Sequence, residues 1–299
     1  MEKFVIITDS CSDLDKELRE KYDIEYVPMH FMYEGKDMRA SLDWDEISAP
    51  DFYNIMRGGV RITTAAVNAN TYREAFEKFL QEGYDILSIS CSSALSNSVE
   101  TSCVVRDELL KKYPERKIVC IDSLISCYGL GILCIRASEL RAEGKTIEET
   151  AQWVLSNRKK IHQECTVEKL SYLKQAGRVS AASAFFGGLL NVKPIIISDV
   201  NGNNAAVEKV KGRMTSIEKL TERFKEQYES VPYQKVFFSH ADSEEDAKLL
   251  KEKVLAACPD KNVDVHFGYI GPIVGASCGP GTIAVYFFGK EVTFDSKKK

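Results

Sequence analysis

Three times in its first half the chain drives a short apolar run into an acid or a hydroxyl and then into a helical pattern. FVIIT (4–8) ends at Asp9-Ser10 before SDLDKELREKY; DILSIS (85–90) precedes a helical stretch over 96–111; KIVCID (117–122) precedes GLGILCIRASELRAEG. Strands apolar on both faces have to be covered on both, and alternation with helices is how a parallel sheet achieves that cover. TYREAFEKFLQEG (71–83) supplies a further amphipathic helix, and TIEETAQWVLSNRKKIH (146–162) reads as a long closing helix. The expectation is an N-terminal parallel-sheet α/β domain over residues 1–162.

From 163 to 299 the texture changes. CTVEKL reads as a strand, and VKPIIIS and AAVEKVK flank the turn DVNGNN. Asn-Gly between two β-rich runs supplies the positive φ of a tight hairpin. Helices are expected at 214–229 and 243–257, alternating with KVFFSH (235–240), NVDVHFG (262–268) and TIAVYFFG (282–289). This pattern predicts a C-terminal α+β domain with a largely antiparallel sheet. At 299 residues the chain has room for two such domains.

Composition narrows the function. A net charge of −4, with no Lys/Arg cluster before the terminal KKK, offers no footprint for nucleic acid or a membrane surface. No run approaches the roughly 18 consecutive apolar residues of a spanning helix, and the first run is too short for a secretion signal. Nine scattered cysteines without a CxxC spacing indicate neither a disulfide framework nor zinc, so a reducing cytoplasm is expected. Four histidines without metal-ligand spacing give no reason to expect a metal.

Two stretches are dense in hydroxyls. SISCSSALSNSVETS (88–102) lies where a strand gives way to a helix, the place where open α/β sheets bind ligands and unpaired N–H groups favour an anion. ITTAAVNANTY (62–72) precedes its own helix. Each also reads as capping, by Ser96 in the first and by Asn68 or Asn70 in the second. Asp9-Ser10 and Asp122-Ser123 stand at strand ends, where an acid either caps or holds Mg²⁺ or a phosphate ester. Gly275-Ala276-Ser277-Cys278-Gly279 matches the G-x-S-x-G nucleophile elbow, but Gly279-Pro280-Gly281 and a β-rich run follow where the elbow requires a helix. LSYLKQAGRVS (170–180) places Lys174 and Arg178 in a turn before a helix from Ser180. SAFFGGLLNVKPIII (183–197), with Phe185 and Phe186, reads as core or as the wall of a tunnel.

Taken in order, ITDSCSDL, the Thr63-Thr64 loop, SSALSNS, IDSLISCYGLG, LSYLKQAGRVS, VKPIIISDVNG, SHAD and IGPIVGASCGPG resemble the DegV family of bacterial fatty-acid-binding proteins, whose FakB members serve fatty acid kinase. The resemblance runs nearly end to end. It implies a two-domain protein that holds one long-chain fatty acid between its domains and no other cofactor. The implied carboxylate ligands are Thr63, with Thr64 beside it, Ser96, the N–H of Asn97, and Ser277. Arg178, matching the family's Gly-Gly-Arg turn, and His266 are assigned to the pocket mouth or to contact with a partner, an ATP-dependent fatty acid kinase. No nucleic acid and no stable membrane insertion are expected.

Three departures from the family pattern stand out. Thr64-Ala65-Ala66 replaces Ser-Gln-Pro after the first threonine, Asn97 replaces a glycine whose left-handed backbone Asn would tolerate, and Ser277 stands where relatives carry His. Two rivals differ in class: a serine esterase using Ser277 or Ser96 with His240 or His266, and a phosphoryl-transfer subunit using the Asp-Ser strand ends.

Overall fold

The computed structural model describes residues 3–179 and 191–298. The first half runs β1 (Phe4–Asp9), α1 (Lys16–Tyr22), β2 (Ile24–Val27), β3 (His30–Tyr33), β4 (Lys36–Arg39), α2 (Ala49–Arg57), β5 (Thr63–Ala65), α3 (Ala69–Gln81), β6 (Asp85–Ser90), α4 (Ser98–Lys112), β7 (Ile118–Asp122), α5 (Cys127–Ala142) and α6 (Ile147–Asn157). The second half runs β8 (Ile161–Thr166), α7 (Leu170–Ala176), β9 (Val192–Ser198), β10 (Asn204–Lys211), α8 (Arg213–Gln227), β11 (Lys235–His240), α9 (Glu244–Ala257), β12 (Asp264–Tyr269), α10 (Pro272–Cys278) and β13 (Ile283–Phe288).

The three apolar runs of the first half form one parallel sheet in the order β2-β1-β6-β7. Ile6 faces both Ile24 and Leu87 across the ladder, and every residue of β1 and β6 is buried. The second half forms a six-stranded sheet, β10-β9-β8-β13-β11-β12, antiparallel except for the β11/β12 pair. The fold is therefore the expected N-terminal parallel-sheet α/β domain and C-terminal, mostly antiparallel α+β domain. A third, small antiparallel sheet, β4-β3-β5, lies beside them.

Helix α5 joins the two large sheets. It contacts β1 and β6 of one and β11 and β13 of the other, so nearly all of it from Cys127 to Leu140 is buried, as a helix apolar on every side requires. Its approach to the 10–14 turn depends on Gly131, where a Cβ would lie 2.7 Å from Leu14 Cδ2 and 2.9 Å from the carbonyl of Ser12. One apolar core runs through this region; a second lies between the far face of the six-stranded sheet and helices α8 and α9.

Several local expectations are corrected. The helix expected over 146–162 ends at Asn157, passes through one 3₁₀ turn (Arg158–Lys160) and becomes β8, so the strand is IHQECT rather than CTVEKL. This strand crosses the expected 162/163 boundary and lies in the six-stranded sheet. It eludes hydropathy because it is central yet polar: Glu164 pairs with Arg223 at 2.5 Å, Gln163 donates to Asn204, and His162 Nε2 lies 2.7 Å from the Lys290 carbonyl. LSYLKQA is helix α7 rather than a turn, closed by Gly177 in the left-handed region. Thr63–Ala65 is an edge strand rather than a loop. The expected helix from Ser180 and the tunnel-wall residues Phe185 and Phe186 lie outside the described residues.

Candidate functional site

The ends of β1 and β6 are fastened to one another by a buried carboxylate. Asp9 accepts the N–H of Cys11 at 2.9 Å and that of Cys91 at 2.8 Å. Burial pushes its carboxyl up to about 6 against the pull of those two N–H groups. The Met29 N–H donates to Ser10 Oγ at 2.8 Å, tying in the chain that follows β2. Asp122 at the end of β7 accepts the Ser93 hydroxyl at 2.5 Å and the Leu124 N–H at 2.8 Å. Both strand-end acids thus brace loops, and among the described residues no group of three or more His, Cys, Asp or Glu is placed to hold a metal ion.

The braced loop is the hydroxyl-rich one. The N–H groups of Leu95 and Ser96 both donate to the Ser92 carbonyl, which rolls the chain into the first turn of α4. Asn97 is the residue before that helix; it makes no side-chain cap and has φ −81°, so this position needs no left-handed backbone. Ser96 and Ser98 hydroxyls lie 3.0 Å apart, and Ser98 Oγ accepts the Val67 N–H at 3.3 Å. The two hydroxyl stretches, 31 residues apart from Val67 to Ser98, therefore meet directly. The expected cap in the second stretch is Asn68, which accepts the Thr71 N–H.

The second half reaches the same loop. Ser92 Oγ donates at 2.9 Å to the carbonyl of Gly202 in the β9–β10 turn. Gly202 combines φ +78° with a contact so close that a Cβ would sit 2.1 Å from Ser92 Oγ, and only glycine meets both demands. Arg178, just after α7, donates at 3.3 Å to the Leu95 carbonyl.

A cavity of about 410 Å³ opens where these pieces meet, within the range of small-molecule sites. Thr64, Ser96, Asn97, Arg178 and Ser277 all line it. Thr63 does not; strand alternation turns it the other way, exposed, with its hydroxyl 3.5 Å from the Met32 carbonyl, and it lines an adjacent cavity of about 290 Å³. Thr64, Arg178 and Ser277 line both. His266 lines neither: its Nε2 lies 3.1 Å from both Asp15 Oδ2 and the Tyr128 hydroxyl. Ser277 occupies the last turn of α10 instead of a strand-to-helix elbow, and among the described residues no histidine hydrogen-bonds Ser277 or Ser96.

Three sulfur-bearing residues of the lining were missed in the sequence. Cys11, Met29 and Cys91 form a sulfur-rich wall, with Cys11 Sγ 3.6 Å from Met29 Sδ. A hydrogen bond to Cys91 and burial hold the Cys11 thiol well above its usual range, so the wall is uncharged. Leu95, Ile273 and Val274 continue it, and a deeper space of about 30 Å³ bounded by Leu173, Ile196 and Tyr286 shares Ser126, Asn204 and Val274 with the larger cavity. No spacing in the sequence signals this wall, because Cys11, Met29, Cys91 and Leu95 come from the separate turns after β1, β2 and β6, and Ile273 and Val274 from the start of α10.

The DegV family, described as uncharacterised proteins, matches residues 3–290. A DegV domain-containing protein of Clostridium perfringens is 36% identical over 289 residues, 97% of this chain and 98% of that protein. Among solved structures, a Thermus thermophilus DegV family protein described by its fatty acid binding superposes with a TM-score of 0.85 at 25% identity, covering 96% of this chain and all of that one (100%). DegV of Bacillus subtilis, a fatty-acid-binding protein, gives 0.82 at 25% identity over 97% of this chain and 100% of its own. With the family match running through both sheets and every segment that builds the cavity, the chain belongs to the DegV family.

Proposed function

We propose that this protein binds one long-chain fatty acid between two domains, the parallel-sheet half and the six-stranded-sheet half that begins with β8 (Ile161–Thr166). Its carboxylate is held by Thr64, Ser96, the Asn97 N–H and Ser277, with Thr63 behind and Arg178 at the mouth. The observation that carries this reading is the hydrogen-bonded meeting of the two hydroxyl stretches beside a cavity that also presents thiol, thioether and aliphatic side chains, with Ser126 and Asn204 as further polar lining. A carboxylate leaving water needs donors to replace its hydration, and hydroxyls beside the first turn of a 15-residue helix supply charge-assisted ones. The tail supplies the affinity. At about 0.8 kcal/mol per buried CH₂, some fifteen methylenes contribute roughly 12 kcal/mol before association costs are subtracted.

The fatty-acid-binding relatives from Thermus thermophilus and Bacillus subtilis support the same ligand class. In this reading the protein works in the cytoplasm as a carrier without catalysis of its own, and presents the carboxylate to a separate ATP-dependent fatty acid kinase that forms the acyl phosphate for phospholipid synthesis. His266, held by Asp15 and Tyr128 outside the cavity, is left to the surface such a partner would touch. Mass spectrometry of an organic extract of the purified protein tests the ligand: about one fatty acid per chain is expected, and an extract without fatty acid, from protein that also fails to take up added hexadecanoate, contradicts the reading.

A further inference from the structure

The 290 Å³ cavity beside the proposed head-group site has a composition the carrier reading does not use. Arg57, Arg61, Lys169 and Arg178 line it, and its described lining contains no Asp or Glu. In a chain with 44 acidic residues against 40 basic ones, an acid-free concavity with four cations is a marked departure from its own average. Arg57 is neutralised by Asp242. Among the described residues the other three have no such partner: Arg61 donates only to the Gln175 carbonyl at 3.3 Å, and Arg178 only to the carbonyls of Ala176 and Leu95. Among the described residues Lys169 has no carboxylate within ion-pair distance. Backbone carbonyls orient a guanidinium but leave its charge uncompensated. Alongside the apolar Met56, Val60 and Ile62, the same lining carries side chains able to donate hydrogen bonds, Ser171 and Gln175 among them.

We infer that this cavity is a phosphate subsite that takes a phosphoryl group lying next to the fatty-acid carboxylate. A phosphate monoester carries about −1.5 to −2 charges and three acceptor oxygens, which matches three uncompensated cations better than a singly charged carboxylate does. The volume suits a phosphate or a short polyphosphate chain. Adjacency follows from the shared lining: Thr64, Arg178 and Ser277 belong to both cavities, so an oxyanion in one is the immediate neighbour of a head group in the other. The link to the carboxylate rests on the proposed function; the anion site itself rests on the cations. The phosphoryl group has two sources, the lipid's own phosphorylated head group or a separate phosphate-bearing molecule.

Isothermal titration of the full chain with hexadecyl phosphate, hexadecanoate and inorganic tripolyphosphate, in the wild type and in Arg61→Ala/Lys169→Ala, separates these. Both substituted residues are exposed and outside the carboxylate ligands, and an unchanged Tm verifies the fold. The expected result is a loss of about tenfold or more in affinity for hexadecyl phosphate with hexadecanoate unchanged within about twofold. Salt-sensitive tripolyphosphate binding lost in the variant assigns the site to a separate phosphate donor, and its absence assigns it to the phosphorylated lipid. If hexadecanoate fails to bind the wild type while tripolyphosphate binds and is lost on substitution, the fatty-acid reading falls and the subsite stands. If neither phosphate probe changes by more than about twofold on substitution, the subsite is overturned.

Discussion

Two central strands of this molecule are equally buried and otherwise opposite. β1, FVIITD, sits in the middle of the parallel sheet and is apolar up to its last two residues; β8, IHQECT, sits in the middle of the antiparallel sheet with three consecutive polar side chains inside it. Each holds a fully buried carboxylate. Asp9 ends β1 and is satisfied by the N–H groups of two loops, whereas Glu164 lies within β8 and is satisfied by Arg223. In the first strand burial follows from transfer out of water, and the acid at its end is free to brace the loops that follow β1 and β6. In the second, burial depends on a specific partner, and the acid serves the fold alone.

Removing one member of the buried ion pair is the most damaging test of that contrast. Glu164→Ala is expected to cost about 3–5 kcal/mol by leaving Arg223 uncompensated, measured by denaturant unfolding. The double substitution Glu164→Leu/Arg223→Met is expected to recover most of this loss, because neither partner is then left alone. A loss in the double variant equal to or larger than that in Glu164→Ala would mean that β8 is held by something other than the pair. Asp9→Ala should cost less, about 1–3 kcal/mol for the two N–H groups left without an acceptor, but should also weaken hexadecanoate binding. Glu164→Ala, once corrected for its unfolded fraction, should leave that affinity alone.

The same contrast explains what could be read from the sequence. β1, β6 and β7 are legible because strands covered on both faces must be apolar runs, and the Asn-Gly hairpin is legible because its turn demands positive φ. β8 is illegible because His162, Gln163 and Glu164 follow no hydropathy period; their partners Lys290, Asn204 and Arg223 lie far along the chain. The site divides in the same way. Its two hydroxyl stretches announce themselves by density, the resemblance adds Asn97, Arg178 and Ser277, and of the residues named Thr64, Ser96, Asn97, Arg178 and Ser277 line one cavity while Thr63 and His266 do not. Which of two adjacent threonines faces it depends on the register of a three-residue edge strand against Phe31 and Met32, and no local pattern carries that information.

A third buried carboxylate gives a pH-dependent test. Asp13 lies against Gly271 and Cys127, and burial pushes its carboxyl up to about 7 although the Cys127 thiol and the Gly271 N–H act to lower it. Because its folded value lies above the ordinary 3.8, the stability it contributes is complete below about pH 4 and is lost as the pH rises through about 7. Asp13→Asn lacks this dependence. Its Tm relative to the wild type should therefore rise between pH 4 and pH 8, by the equivalent of about 2–4 kcal/mol. A constant difference across that range would show that Asp13 titrates normally.

The convergence of the two hydroxyl stretches on one carboxylate is tested most directly by a double-mutant cycle on fatty-acid affinity with Thr64→Val and Ser96→Ala. Both side chains are half-buried, so the fold should be retained. Each single substitution is expected to weaken hexadecanoate binding by about tenfold or more, and the double substitution by less than the product of the two, as for groups that share one ligand. Affinities within about twofold of the wild type in all three variants would contradict the account.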